Sequence, residues 1–390
     1  MKSWILLILI GSTATLVVAM PTMAMPVLLP EIADDLGLNL VQVGVVWGIG
    51  SLAGLVTGVG VGMIGDRFGP RRLLIISCLI LGITGALRGL ANNYAMLAFT
   101  NLLNGFLVSV IPLTLHNGCG KWFSGNRLGI ANGFVSAGMA TGFMTGSLIS
   151  ATYLSPWLGG WRHVMVFYGV ISVIMAIPWV FLRSITDDRE KEGNAKPSSS
   201  ARSSFLEILR VRDVWLLGLV LLGVSGCIQG ILGYLPTYLR EIGWTPFRAD
   251  AALSSFHAIS LAAVFPITYL SDRLGSRKRI LAAASLLILL GATLLGFVQG
   301  GWISLAVLIT GVVRDGFMAL MITMVTESSG VSSRNAGAAI GLSLTLGRAG
   351  EWLAPTIGNS LANWNLGLPF LFWALMALVG FGILFLLEDR

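Results

Sequence analysis

Charge is scarce in this chain. Only 11% of its 390 residues are Asp, Glu, Lys or Arg, while 55% are hydrophobic. Soluble globular chains carry about 25% charge. A water-soluble fold of this composition would leave large apolar patches exposed and would aggregate. Cysteine is equally sparse: Cys78, Cys119 and Cys227 form an odd set without metal-ligand spacing. A disulfide framework and a zinc site are both excluded on that count, and the three thiols read as small buried apolar groups. No phosphate-cradling loop is found, because the glycine-rich stretches fall inside apolar runs. No catalytic constellation stands at a membrane edge either, so neither an ATPase nor another enzyme is expected, and no cofactor or metal is expected. Glycine itself is abundant at 49 residues, but it follows no G-X-Y period, so collagen is excluded and glycine-tolerant membrane helices remain.

The apolar runs are long. They lie at about 4–29, 41–64, 72–91, 95–118, 129–153 and 163–183, then at 213–237, 250–270, 279–298, 302–325, 335–358 and 366–387. Each is close to the ~20 residues that cross a hydrocarbon core as a helix. Strands are excluded, since outer-membrane strands are about 10 residues long and alternate in polarity. A continuous apolar run can satisfy its backbone in lipid only as a helix. The first run follows Met1-Lys2 and imitates a leader peptide, but its length from Trp4 to Leu29 fits a span better. The expected fold is therefore an all-α membrane protein of twelve transmembrane helices.

Between the sixth and seventh runs lies a polar stretch containing Lys196-Pro197-Ser198-Ser199-Ser200, with nothing in it that could bury a core. It predicts an N-terminal six-helix bundle at 1–183, a linker at 184–212 and a C-terminal six-helix bundle at 213–390. The net charge of +7 is not gathered on one face or arm, which argues against nucleic acid. Lys2, Arg67, Arg71, Arg72, Lys121, Arg127, the cluster from Arg183 to Arg212, Arg273, Arg277, Lys278, Arg279, Arg334 and Arg390 all fall in one set of loops and tails. The opposite loops hold Arg162, Arg240 and Arg248, together with Glu31, Asp34 and Asp35. The positive-inside bias then puts both termini on the cytoplasmic side, and the expected location is a cell (inner or plasma) membrane.

The two halves repeat. Leu29-Pro30 recurs as Leu235-Pro236, Gly37 as Gly243, Asp66-Arg67-Phe68-Gly69 as Asp272-Arg273-Leu274-Gly275, and Arg71 as Arg277, every pair 206 positions apart. The repeat also pairs the first apolar run with the seventh, which supports its reading as a span. The stretch Gly62-Met63-Ile64-Gly65-Asp66-Arg67-Phe68-Gly69-Pro70-Arg71-Arg72 resembles the loop 2–3 signature of the major facilitator superfamily, departing from it at Pro70. Tyr269 to Arg279 resembles the weaker second copy. The resemblance implies a secondary transporter with two pseudo-symmetric six-helix bundles, working as a monomer by alternating access. It also implies a gating role for Asp66, Arg67, Gly69, Arg71, Asp272 and Arg273. On physical grounds, a carboxylate at the membrane edge can form a contact in one conformation and lose it in another. Charge that merely sets topology is the other reading.

Two glycine series stand out: Gly50, Gly54, Gly58 and Gly62 in the second run, and Gly138, Gly142 and Gly146 in the fifth. Four-residue spacing lines one helix face with glycine and lets a neighbour approach closely. In the resembled family these two spans face the opposite half and rock, while tight packing alone is the simpler reading. The fifth run lacks the Gly-Pro pair of that superfamily's drug exporters, which argues against drug efflux.

Ionisable residues deep in an apolar run mark candidate sites. Arg314 lies about twelve residues into the tenth run and Arg348 about thirteen into the eleventh, each near the midplane at ~1.5 Å per residue. Both are candidate substrate-binding groups, because an arginine fork suits a carboxylate. Asp315 and Glu351 are candidate coupling or charge-pairing groups, with an Asp315–Arg348 pair as one arrangement and a closed four-residue network as another. Asn101, Asn104, Gln229 and His257 complete the predicted substrate-binding set; His257 is also a candidate proton carrier, since free histidine titrates near neutral pH, with an interhelical hydrogen-bonding group as the other reading. Arg88 and His116 are placed near span ends, reaching the interface. Lys121-Trp122-Phe123-Ser124-Gly125-Asn126-Arg127 and Tyr234 to Leu239 resemble patterns of the superfamily's anion-transporting branches. The expected function is transport of a small organic anion, with a proton as candidate coupling ion. Efflux of drugs or neutral metabolites by proton antiport is the alternative.

Overall fold

The computed structural model describes residues 2–182, 207–274, 276–332 and 335–387; within helices, the side chains of residues 2–3, 56–68, 126 and 272 lie outside the description. Among the described residues the chain is helical throughout its apolar runs, with no strand. Six helical rods come first: α1 (Trp4–Leu36), α2 (Leu40–Phe68), α3 (Pro70–Gly89), α4 (Tyr94–Trp122), α5 (Arg127–Leu158) and α6 (Trp161–Phe181). Six more follow: α7 (Arg212–Glu241), α8 (Pro246–Leu274), α9 (Arg277–Phe297), α10 (Trp302–Thr326), α11 (Ala336–Leu361) and α12 (Leu368–Leu384). Nine of these rods, among the described residues, are long and apolar enough to cross a membrane by themselves, and the apolar stretches Leu40–Leu55 and Leu368–Leu384 are shorter.

The rods are not uniform, and proline explains three of the departures. A π-helical stretch at Ala14–Ala19 precedes Pro21 in α1, and another at Ser150–Leu154 precedes Pro156 in α5. Proline has no N–H for the carbonyl four residues back and its ring crowds it, so the turn widens there. A third rod is broken three residues before Pro112, which has no N–H for the Val108 carbonyl, and a fourth is broken with no proline in it. α4 is interrupted at Ser109 and α10 at Val313 (φ −100°, ψ −8°).

The repeat seen in the sequence is also a repeat of local geometry. Gly37 (φ 63°) ends α1 and Gly243 (φ 88°) follows the end of α7, both left-handed. Leu38 N–H donates to the Ala33 carbonyl and Trp244 N–H to the Leu239 carbonyl, each at 2.9 Å. Both donors and both acceptors are 206 positions apart. This is the glycine-terminated cap that satisfies the last carbonyls of a helix. Gly69 (φ 76°) makes the turn into α3, while its counterpart Gly275 lies outside the described residues.

The contacts divide the chain into two units, residues 1–38 with 56–197 and residues 39–55 with 198–390. In the first unit, glycine lets helices approach at two places. A Cβ on Gly142 would lie 2.5 Å from Ala19 Cβ, and one on Gly138 or Gly146 would lie 2.5 and 2.6 Å from the carbonyl oxygens of Gly11 and Met20. The four-residue glycine series of α5 therefore seats α1. Gly82 and Gly169 meet in the same way where α3 crosses α6. Around these contacts sits a core of Leu6, Ile10, Leu74, Trp122 and Trp179, with the two indole rings 5.5 Å apart. Trp122 and Phe123, part of the pattern read as a family signature, are thus buried packing groups.

In the second unit α7 is the most enclosed rod. Gly350 of α11 presses on the Leu222 carbonyl, and a Cβ on Gly223 would lie 2.3 Å from the Met376 carbonyl of α12. Trp373 Nε1 donates to the Ala354 carbonyl at 2.7 Å, and Tyr234, Tyr238, Phe370 and Trp373 form an aromatic cluster. The first half of α2 belongs to this unit. Its close approach to α11 uses Gly44 and Gly48, where a Cβ would lie 2.4 and 2.6 Å from the carbonyl oxygens of Pro355 and Trp352. Those two glycines were not in the predicted series. A Cβ on Gly54, which was, would lie 3.3 Å from the Arg348 side chain, and Gly58 and Gly62 lie where side chains are outside the description.

Candidate functional site

Polar and charged groups gather at two places inside the helical rods, one in each unit. In the second unit the group centres on the broken rod α10. The break at Val313 makes Arg314 and Asp315 the first residues of a new helical segment. Asp315 N–H donates to Ser260 Oγ of α8 at 3.1 Å, which satisfies one of the donors that a helix start leaves without an intrahelical acceptor. Arg314 Nη1 donates to Asp315 Oδ1 at 2.6 Å. The predicted Asp315–Arg348 pair is therefore replaced by a pair between neighbours in sequence. Side chains 100° apart on an ideal helix do not meet, but the break and the length of the arginine let it fold back. His257 of α8 is buried, and its electrostatic neighbours are Arg314 and Asp315.

One rod further on, Arg348 Nη1 donates to Glu351 Oε2 at 2.8 Å, an i,i+3 pair on one face of α11. The Arg348 side chain is 42% exposed against 24% for Arg314, so Arg348 is the more open of the two arginines. Gln229 of α7 is half-buried, and its main-chain carbonyl accepts from Trp47 Nε1 at 2.8 Å.

In the first unit the group lies between α1, α3, α4 and α6. Arg88, expected at the interface, is 3% exposed and points into the unit. The reason is directional: side chains lean toward the N-terminus of their helix, so an arginine one residue from the end of α3 reaches back along it. Its Nε lies 3.4 Å from the Gly85 carbonyl and its Nη1 3.4 Å from Asn101 Oδ1. Asn104 Nδ2 donates to Thr84 Oγ1 at 3.3 Å. Arg88 and Asn104 line a small cavity with Val17, Thr22, Gly85 and Tyr168. The predicted Asn101 and Asn104 are thus brought together with an arginine that sequence reasoning set aside. The signal that could have found it was a charge eighteen residues into a twenty-residue rod, read too simply as an end position.

The structure gives part of the predicted gating motif an anchor. Arg71 is buried, with Nε donating to the Trp179 carbonyl at 2.8 Å and Nη2 to the Val180 carbonyl at 3.1 Å, so it caps the C-terminus of α6. Lys278, at the position equivalent to Arg72, donates to the Leu387 carbonyl beyond α12 at 2.6 Å. Arg277 pairs with Glu327 at 2.9 Å. Arg273 is exposed, while the side chains of Asp66, Arg67 and Asp272 lie outside the described residues. On the loops with few basic residues, Arg162 pairs with Asp35, and Arg240 pairs with the fully buried Asp250 at 2.7 Å. Glu31 accepts from Ser155 Oγ and from Trp161 N–H, capping the start of α6.

Comparison with known proteins gives this arrangement its relatives. The model of the Major Facilitator Superfamily matches residues 11–355 and again 241–390. The chain is 27% identical over 276 residues to a probable 4-methylmuconolactone transporter of Cupriavidus pinatubonensis, covering 65% of this chain and 60% of that protein. It is 23% identical over 384 residues to the cis,cis-muconate transport protein of Acinetobacter baylyi, covering 94% and 90% of the two. It is also 23% identical over 356 residues to multidrug resistance protein 2 of Bacillus subtilis, covering 87% and 84%. Among solved structures, a bacterial homologue of the human lysosomal transporter Spinster, inward-facing and unoccupied, superposes with a TM-score of 0.81 at 15% identity over 99% of this chain and 96% of that one.

Proposed function

Because the chain belongs to the Major Facilitator Superfamily, whose members are membrane transporters of small molecules and not enzymes, we propose that it moves a small organic anion by alternating access, drawing on a proton gradient. The observation that carries the reading is Arg348. It stands midway along α11, its side chain is 42% exposed, and among the described residues Glu351 engages it through Nη1 alone. A midplane arginine costs about 2.5–3.5 kcal/mol on insertion scales, so a partial partner leaves reason for a second, carboxylate-bearing one. The remaining edge of the guanidinium can hold two oxygens in parallel. In the second unit Arg314 is the second anion-binding group, with Gln229 and His257 orienting the substrate; Asn101 and Asn104 are the substrate-binding candidates of the first unit. Asp315 and Glu351 exchange their arginine partners, or a proton, as the carrier cycles. The relative named for cis,cis-muconate, matched over nearly the whole chain, supports a carboxylate substrate.

In this reading the chain is a monomeric carrier in the cell (inner) membrane, built as six-helix bundles 1–183 and 213–390 with a cytoplasmic linker at 184–212 and both termini cytoplasmic. Asp66, Arg67, Gly69, Arg71, Asp272 and Arg273 act as its gate. The match to a multidrug resistance protein favours a second reading, efflux of hydrophobic compounds.

Proteoliposome uptake separates the two. A panel of mono- and dicarboxylates that includes cis,cis-muconate is offered with and without an inward proton gradient, to wild type and to Arg348→Gln and Arg314→Gln. Saturable carboxylate uptake that falls by at least about 10- to 100-fold in Arg348→Gln is expected, the loss that even one of the two charge-assisted hydrogen bonds accounts for. Extrusion of hydrophobic cations with both arginines dispensable would overturn the reading in favour of efflux.

A further inference from the structure

Among the described residues, no carboxylate pairs with the buried arginine of the first unit. Arg88 is 3% exposed, its two hydrogen bonds are both 3.4 Å long, and both go to neutral oxygens, the Gly85 carbonyl and Asn101 Oδ1. Among the described residues none of the ion pairs includes it. A charge inside an apolar bundle is costly unless a counter-charge meets it. The surrounding hydroxyls offer little compensation, because each is turned toward a backbone carbonyl or another hydroxyl. Thr22 donates to Val18, Ser172 to Cys78 and Ser150 to Gly146, the last leaving Ser150 Oγ to accept from Tyr168.

The donors converge on one spot. A methyl group placed on Gly85 would lie 3.7 Å from Arg88 Nη2 and 3.7 Å from Asn104 Nδ2. The space there opens into the cavity lined by Thr22, Leu81 and Tyr168, with room for little more than about one water-sized group. Two N–H donors, one of them cationic, thus face a small niche formed because residue 85 has no side chain. The lining residues of α1, α4 and α6 lie in the middle stretches of those rods, and those of α3 lie in its second half.

We propose that this niche is an anion-binding site, in which Arg88 and Asn104 hold a single carboxylate-sized or halide-sized negative group. The group comes either from one end of the transported anion or from free chloride. The organic-anion reading above bears only on which source applies, not on the existence of the site.

Gly85→Ala tests it with little cost to folding, because the added methyl makes only ordinary van der Waals contacts at 3.7–3.9 Å and yet fills the niche. Arg88→Met removes the charge and keeps the length. Purified full-length wild type and both variants are melted in a zwitterionic buffer free of chloride and carboxylates against titrations of chloride, acetate and cis,cis-muconate. A ligand of the folded state raises apparent stability in a concentration-dependent way. Wild type is expected to show a saturable rise with at least one of these anions. Gly85→Ala and Arg88→Met are expected to need about 10- to 100-fold more of it for the same rise. A rise with chloride alone assigns the site to a free ion; a rise with the carboxylates in chloride-free buffer assigns it to the substrate. No rise in wild type, or equal rises in wild type and Gly85→Ala, overturns the proposal. Carboxylate uptake is measured on the same preparations. If chloride stabilises wild type through Arg88 while no carboxylate is transported, the site stands and the transport reading fails; normal, unshifted uptake in both variants with no anion effect gives the reverse.

Discussion

Substituting alanine at two glycines of the same helix should have opposite effects. At Gly142 a Cβ would sit 2.5 Å from Ala19 Cβ, 2.8 Å from the Thr15 carbonyl oxygen and 3.0 Å from Thr15 Cα. Carbon atoms rest at about 3.5–4.0 Å, so α1 and α5 would have to separate by roughly 1 Å at this point. Two of the three obstacles are backbone, which cannot rotate away. Overpacking of this kind costs about 1–3 kcal/mol. Separation would also loosen the hydrogen bond from Thr15 Oγ1 to the Gly138 carbonyl, now 2.9 Å long, itself worth about 1 kcal/mol. At Gly133, nine residues earlier on α5, a Cβ meets nothing within 4 Å. There the gain in helix propensity of up to about 1 kcal/mol acts alone. Thermal unfolding of the detergent-purified protein, followed by loss of the monodisperse peak, reads both. Gly142→Ala should melt several degrees below wild type and Gly133→Ala at or above it. Equal shifts for the two variants would refute the claim that the glycine series of α5 exists to seat α1, and would make it a general property of the helix instead.

Asp250→Asn should be among the most damaging isosteric changes in the second unit. It removes the charge of a fully buried carboxylate that holds Arg240 at 2.7 Å, and breaking such a pair costs about 3–5 kcal/mol. A fall in expression and melting temperature, restored in part by a second change of Arg240 to Met, is the check. Arg71→Met should lower stability by about 1.5–3 kcal/mol, through loss of its two charge-assisted bonds to the Trp179 and Val180 carbonyls. Arg71→Lys should recover only part of that, because one ammonium does not reproduce the fork.

How far the site could be read from the chain differs residue by residue. Arg314, Arg348, Asp315 and Glu351 announced themselves because charge inside an apolar run is rare, and their depth followed from counting. The Arg348–Glu351 pair was legible too, since three residues apart on a helix is a contact by construction. The Arg314–Asp315 pair was not, because it depends on a break at Val313 that no proline or glycine marks at that position. Arg88 was misjudged for a related reason. Position along a span was visible, but the direction in which a long side chain leans was not. Gly44 and Gly48 were missed because they precede the regular glycine series, and which helix a glycine touches is a property of the neighbour.

Composition and periodicity determined a good deal on their own. Scarce charge and twelve long apolar runs leave helices in lipid as the only way to satisfy the backbone. A constant offset of 206 residues carries over directly into matched caps at Gly37 and Gly243, because a left-handed helix end is a local property of a few residues. The tertiary structure decided what depends on distant residues meeting. It turned Arg88 inward beside Asn101 and Asn104, tied Arg71 to the end of α6, and paired Arg240 with Asp250. The division follows from range: hydrophobic length and helix capping act within one segment of chain, whereas the partner of a buried charge is chosen only when the helices pack.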